Sequence, residues 1–349
     1  VVLINLISFF LKNQIKVTLI SSNFSKKFLK NKLFRYKNFK PLKNIFPDRM
    51  SKAFSASSLL LRELKESSSD NTIVFSLQSS SISILIAKII GFKIIVRNAE
   101  DPIYSTYYAD NKVLGLFAVF SKFLTYNFAN GIITNSLGSK KSLNKIIFSK
   151  KIISIYNPYL KYNFKDRLKK RKNIMLSVGR LTKQKDFETL IKAFNLVDKK
   201  IQNYKLIIIG NGKKKKDLIK LINNLGLQGK VELKGWLSEL KNYYISSKLF
   251  VLSSVYEGLG NVLIDAANYR LPIVTTNCKS GPPEIIDNGR GGFLVPVSNE
   301  RLMSKKIIYV LNNYDLAIKK SNYAKKRIRR FDININSKKY LDYIKKVFY

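Results

Sequence analysis

The chain has 349 residues, room for two domains of ordinary size, and its 46% hydrophobic, 25% charged composition is that of a globular protein. With no histidine and a single cysteine, Cys278, it can build neither a histidine-based triad nor an internal disulfide framework, and it lacks the usual zinc ligands. Its formal charge of +42 attracts polyanions, yet residues 1–170 and 171–349 each carry +21, an even spread that reads as whole-chain bias. No specific nucleic-acid partner is therefore expected.

Taken in chain order, residues 1–11 are apolar except for Asn5 and Ser8, too short a run to span a bilayer and without the basic leader of a signal peptide. They read as a first helix entered partway along. Between Lys26 and Arg49 lie nine basic residues and one acid, interleaved with Phe28, Phe34, Tyr36, Phe39 and Phe46. That mixture suits a membrane interface or base stacking, and equally a solvated loop with its aromatics turned into the core. Short β-branched runs at residues 15–20, 72–75, 92–96, 131–134 and 151–155 alternate with helical spacing at 81–90 and 113–128. Asn157-Pro158 interrupts this rhythm, and the polar stretch 159–172 is the best linker candidate.

The rhythm then restarts. Strands are predicted at 173–178, 205–209, 231–233, 249–252, 273–275 and 293–295, with a helix at 186–197 whose Phe187, Leu190, Ile191 and Phe194 share one face. Strands separated by helices imply parallel sheets covered on both faces. The α/β fold expected is two doubly wound, Rossmann-like domains facing across a cleft. Residues 1–158 form the first, 159–331 the second, and 332–349 a terminal helix crossing back to the first. Ligands of such sheets sit beyond the carboxyl ends of the strands.

One segment there concentrates chemistry. In Glu257-Gly258-Leu259-Gly260-Asn261-Val262 the glycines let backbone approach a ligand, and the amides of a following helix form an anion and hydroxyl site. Glu257 stands before that helix and Asp265 two turns into it, which would set both carboxylates on one side, lining one pocket at two depths. A helix with one cap-side acid and one ordinary surface acid is the plainer reading of the same spacing. Residues 206–212 bring a strand into Gly210-Asn211-Gly212, a weak signal whose rival is a dinucleotide fingerprint. That fingerprint wants glycine at 215, where the chain has Lys215.

The run from Glu257 to Val274, EGLGNVLIDAANYRLPIV, resembles the motif of two acids with seven residues between them that marks the retaining GT-B glycosyltransferases, in the group often called glycosyltransferase family 4. The resemblance continues in Val178-Gly179-Arg180-Leu181 with Lys185, in the strand ending at Gly210, in residues 280–296, and in Arg330-Phe331-Asp332 before the terminal helix. It implies that Arg180 and Lys185 hold the diphosphate of a nucleotide sugar, that Glu257 meets the sugar hydroxyls, and that Asp265 meets the ribose. Gly179, Gly210, Gly258, Leu259, Gly260, Asn261 and Val262 would complete the donor site, with Glu257, Arg180 and Lys185 the catalytic set. Arg97, Asn98 and Glu100 match the first-domain region near the reacting sugar, where loop caps before Pro102 are an equal reading.

Three departures accompany the resemblance. The chain begins after the family's first strand and glycine-rich loop, so a fragment, with a first domain incomplete at its N-terminus, is expected. The second acid is Asp265, one methylene shorter than glutamate. No histidine stands in the first domain.

The reaction implied moves a sugar, with retention, from a nucleoside diphosphate donor (UDP favoured, GDP allowed) to a saccharide or lipid-linked acceptor in cell-surface polysaccharide synthesis. No cofactor and no metal are expected, and no D-x-D motif occurs. The location implied is cytoplasmic, peripheral on the inner face of the cell membrane, against an anionic surface. An inactive donor-binding remnant and a basic polyanion-binding protein are the alternatives.

Overall fold

In the computed structural model the structure describes residues 1–349 except 23, 25–27, 29, 41–47, 78–79, 110, 150 and 162–169, and the side chains of 48–50 and 52. The described chain divides into two compact units. The first comprises Val1–Asn135, Ser139–Tyr159 and Ile333–Tyr349; the second comprises Ser136–Gly138 and Leu160–Asp332. Both are built from parallel strands and helices, the doubly wound α/β architecture expected from the alternating runs.

The first unit holds a parallel pair, β1 (Val17–Ser21) and β2 (Phe34–Asn38), and a four-stranded parallel sheet. The sheet runs in the order β3 (Ile73–Ser76), β4 (Lys93–Asn98), β5 (Gly131–Thr134), β6 (Ile152–Ser154). Its central strands are Ile- and Val-rich and, apart from half-buried Lys93, buried, as a sheet covered on both faces requires. One covering layer is a core of Leu6, Phe10, Ile95, Ile133, Tyr340 and Leu341, which joins the helix Val2–Lys12 to the helix Ile333–Phe348. The chain's last helix thus completes the core of its first unit.

β2 is a strand where the basic run suggested a loop. Phe34 and Tyr36 alternate inward from exposed Arg35, and Lys37 pairs with Glu63 at 3.2 Å. Phe24, Phe28, Phe34 and Tyr36 pack ring against ring at centroid separations of 5.7–6.0 Å. These aromatics serve a small core, so of the two readings of the run it is the core-facing one that holds for them. Phe46 and the basic residues Lys26, Lys27 and Lys43 lie outside the described residues.

The second unit is one six-stranded parallel sheet, ordered β12-β11-β10-β7-β8-β9. Its strands are β7 (Ile174–Val178), β8 (Lys205–Ile209), β9 (Val231–Leu233), β10 (Leu249–Leu252), β11 (Ile273–Thr276) and β12 (Phe293–Val295). The order reverses between β10 and β7, so the loops after those two strands diverge and leave a crevice at their carboxyl ends. Phe187, Leu190, Ile191 and Phe194 of the helix Phe187–Asp198 are all buried in the core that covers one sheet face. Within the stretch read as a linker, Arg171 is a structural residue. Its guanidinium donates to the carbonyls of Ser247 at 2.7 Å, Tyr269 at 2.9 Å and Arg270 at 3.0 Å.

Candidate functional site

The loops at the carboxyl ends of β7 and β10 bring together three of the residues singled out by sequence. After β7 the chain turns through Gly179 and Arg180 into a short helical turn, Lys183–Lys185. The Lys185 stem passes over Gly179, and a Cβ there would stand 3.2 Å from its Cδ and Cε. Gly210, at the end of β8, lies against the same loop: a Cβ on it would fall 1.8 Å from the Gly179 carbonyl oxygen. Only glycine lets the two turns approach so closely.

Lys185 Nζ donates to Glu257 Oε1, and both side chains are almost wholly enclosed. Two buried charges are tolerated because each satisfies the other and further hydrogen bonds complete the site. Ser254 Oγ donates to the same Glu257 oxygen at 2.7 Å, and Ser280 Oγ donates to the Glu257 carbonyl at 2.6 Å. Ser253 Oγ holds the Lys185 carbonyl at 2.7 Å. Thr276 Oγ1 and Cys278 Sγ both donate to the Ser254 carbonyl, at 2.5 and 3.0 Å. Burial pushes the Cys278 thiol up to about 12, so it stays protonated and acts as a donor, not a nucleophile.

Arg180 lies beside this pair but is exposed, with Nη2 donating to Gln184 Oε1 at 3.2 Å. Gln184 in turn donates to the Tyr256 carbonyl at 3.1 Å and accepts the Val255 amide on its own carbonyl at 2.9 Å. The β7 loop and the Glu257 loop are therefore laced together, and the exposed guanidinium is a cation there that an anion can reach.

Glu257 precedes the helix Asn261–Asn268, whose N-cap, Gly260, has no side chain to cover the first-turn amides. Gly258, Leu259 and Val262 belong to this turn, with Leu259 buried. The helix begins later than the spacing suggested. Asp265, half-buried, is about one turn into it, and Glu257 is not on it. The two carboxylates therefore do not share a helix face: Glu257 turns to Lys185 and Ser254, since a buried carboxylate must find donors.

Arg97, Asn98 and Glu100 sit at the carboxyl end of β4 in the first unit. Arg97 donates from Nε to the Tyr340 hydroxyl at 3.0 Å and from Nη2 to Asn157 Oδ1. Asn98 donates to the Glu100 carbonyl at 2.6 Å and accepts from Lys122 Nζ at 3.3 Å. Both are buried ties within the unit, while the Glu100 side chain is exposed. Asp101, not singled out by sequence, caps the helix Pro102–Tyr107 through the amides of Ile103 and Tyr104, both at 3.1 Å. Also missed were Ser254, Ser280 and Gln184, whose signal was small polar residues clustered where buried strands end.

Residues 160–327 match the family Glycosyl transferases group 1. A Campylobacter jejuni relative, N-acetylgalactosamine-N,N'-diacetylbacillosaminyl-diphospho-undecaprenol 4-alpha-N-acetylgalactosaminyltransferase, is 32% identical over 256 residues, 71% of this chain and 69% of that protein. The chain belongs to the group 1 glycosyltransferases. Another relative, the amylovoran biosynthesis glycosyltransferase AmsD of Erwinia amylovora, is 28% identical over 76% of this chain and 73% of its own. Among solved structures, Anabaena HepE in complex with UDP-glucose matches with a TM-score of 0.79 at 15% identity, over 99% of this chain and 96% of that one. Staphylococcus aureus TarM, solved with UDP, matches with a TM-score of 0.70 at 22% identity over 84% of this chain, which spans 59% of that chain's length. These likenesses place the fold of this group 1 glycosyltransferase among the GT-B enzymes.

Proposed function

We propose that this chain transfers a sugar from a nucleoside diphosphate sugar, UDP-linked in preference to GDP-linked, to a hydroxyl of a saccharide or lipid-linked acceptor in cell-surface polysaccharide synthesis. The observation that carries the reading is the enclosed Lys185–Glu257 pair beside exposed Arg180, ahead of a helix start with no side-chain cap. The arrangement supplies what a departing nucleoside diphosphate needs. Arg180 is a fixed fork for the diphosphate, Lys185 a second positive charge, and the amides of Gly260, Asn261 and Val262 converge as donors. Glu257 offers its second carboxylate oxygen to sugar hydroxyls while Lys185 and Ser254 fix the first. Asp265 reaches the ribose.

Transfer proceeds with retention and without bound metal, the acceptor attacking on the face from which the diphosphate departs. A diphosphate oxygen takes the acceptor's proton. The names of relatives support this choice of partners: the Campylobacter enzyme's includes a diphospho-undecaprenol acceptor and the Anabaena structure holds UDP-glucose. No helix among the described residues is long and apolar enough to cross a membrane. The proposed site of action is the inner face of the cell membrane, reached peripherally.

The test is incubation with a panel of labelled UDP- and GDP-sugars. Transfer or slow donor hydrolysis, lost in Glu257→Gln, supports the reading. Donor binding without turnover in any combination indicates a remnant, and salt-sensitive RNA binding with no donor binding indicates a polyanion-binding protein.

A further inference from the structure

The helix Lys112–Thr125 in the first unit is turned inside out. Of its residues only Thr125 is fully buried, and its inward side is polar. Ser121 Oγ accepts from Ser81 Oγ at 3.3 Å, Lys122 Nζ reaches Asn98 Oδ1 at 3.3 Å, and Thr125 Oγ1 donates to the Ser121 carbonyl at 2.7 Å. Gly115 provides close approach to Thr106, whose Cγ2 would stand 3.1 Å from an added Cβ. The apolar residues face out. Val113, Leu116, Phe117, Phe120 and Leu124 recur at helical spacing and, with Phe148 from a neighbouring loop, are between 49% and 85% exposed. Phe148 packs edge-on against Phe123 at 6.4 Å, which joins the loop to the helix.

A patch of this kind on a soluble domain marks a surface that is covered in use. The rim says by what. Of the described residues between Leu85 and Lys151, Lys88, Lys112, Lys141, Lys145 and Lys151 are exposed, against one exposed acid, Glu100. Lys88 stands beside exposed Ile89, and burial first, then the charge of Lys151, holds its ammonium below the usual lysine range. Two copies of the chain meeting on this face would set lysine against lysine, whereas anionic headgroups complement the rim while acyl chains accept the aromatics.

We propose that this helix is the protein's membrane contact, lying flat in the interface of an anionic bilayer over its length of about 21 Å. The inference deepens the membrane-side part of the proposed function and moves that contact away from the basic run 26–49. It also brings the first unit to the surface where a lipid-linked acceptor would reside.

The experiment is flotation of the full chain with vesicles of phosphatidylcholine alone or with phosphatidylglycerol, alongside calorimetric titration with UDP. The chain is expected to float with the acidic vesicles, and Phe117→Ser/Phe120→Ser to lose roughly ten-fold or more of that partition. Because both side chains are exposed, that variant should keep its circular dichroism and its UDP affinity. Phe117→Trp should shift its emission to the blue on acidic vesicles. Flotation unchanged in the double variant, or no flotation of the parent chain, overturns the proposal. So does a dimer in solution that the double variant dissolves, which would make a second copy the occupant. Failure to float with UDP binding intact refutes this inference alone; flotation without UDP or GDP binding refutes the donor reading alone.

Discussion

Lys185 and Glu257, 72 residues apart in sequence, form an enclosed ion pair at the carboxyl ends of β7 and β10. Removing either partner strands a charge, which generally costs about 3–5 kcal/mol when the pair is buried. Lys185→Met should therefore lower stability by about that amount in urea denaturation. The double variant Lys185→Met/Glu257→Gln should recover much of the loss, because no unpaired charge remains. Sugar transfer should stay absent in both, which separates the pair's chemistry from its contribution to folding.

Gly210→Ala tests the contact between the two turns. The added Cβ would lie 1.8 Å from the Gly179 carbonyl oxygen, so backbone must move. A loss of about 3 kcal/mol or more is expected by denaturation. Weaker nucleotide binding should accompany it, because the displaced loop carries Arg180. Stability equal to the parent would show that the loops have slack.

Cys278 is a built-in reporter on this region. Its thiol is buried, raised to about 12 by that burial, and hydrogen-bonded to the Ser254 carbonyl. Native protein near pH 8 should resist a thiol reagent, while denatured protein should release one equivalent at once. Nucleotide sugar should slow the residual native reaction further. Rapid stoichiometric labelling of the native chain would contradict the geometry.

Asp186 gives a pH dependence with a definite sign. It occupies the left-handed region (φ 45°) as N-cap of the helix Phe187–Asp198, accepting from Thr189 and Ser298. Burial raises its carboxyl above the usual aspartate range. A raised folded-state pKa means its favourable contribution is complete below the unfolded value and is lost as pH rises through the folded one. Asp186→Asn keeps the cap and tolerates this conformation. Its melting temperature relative to the parent should therefore be higher at neutral pH than at about pH 4. An unchanging difference would contradict the shift.

The alternation of short apolar runs with helical spacing sufficed for the α/β class, because parallel strands such as Gly131–Thr134 and Leu249–Leu252 are buried throughout and mostly apolar. β2 escaped because Phe-Arg-Tyr-Lys-Asn buries only one alternating face. Periodicity placed a helix near residues 113–128 but could not say which side faces out. With few polar residues in the segment, three hydrogen-bonding side chains decided it. At the site, the motif marked Arg180, Lys185 and Glu257, yet not that the last two would bond each other. That pairing depends on the β7–β10 register, a long-range fact invisible in local spacing. Arg97 and Asn98 were legible as polar residues before Pro102, while the inward partners of Arg97, Tyr340 and Asn157, lie too far along the chain to anticipate.

The central claim is that a nucleoside diphosphate rests against Arg180, and calorimetric titration of parent and Arg180→Ala with UDP and with uridine tests it most directly. Losing a charge-assisted contact to the diphosphate should weaken UDP binding roughly ten-fold or more while leaving uridine unchanged. Equal UDP affinity in the two proteins, or a parallel loss for uridine, would contradict the account.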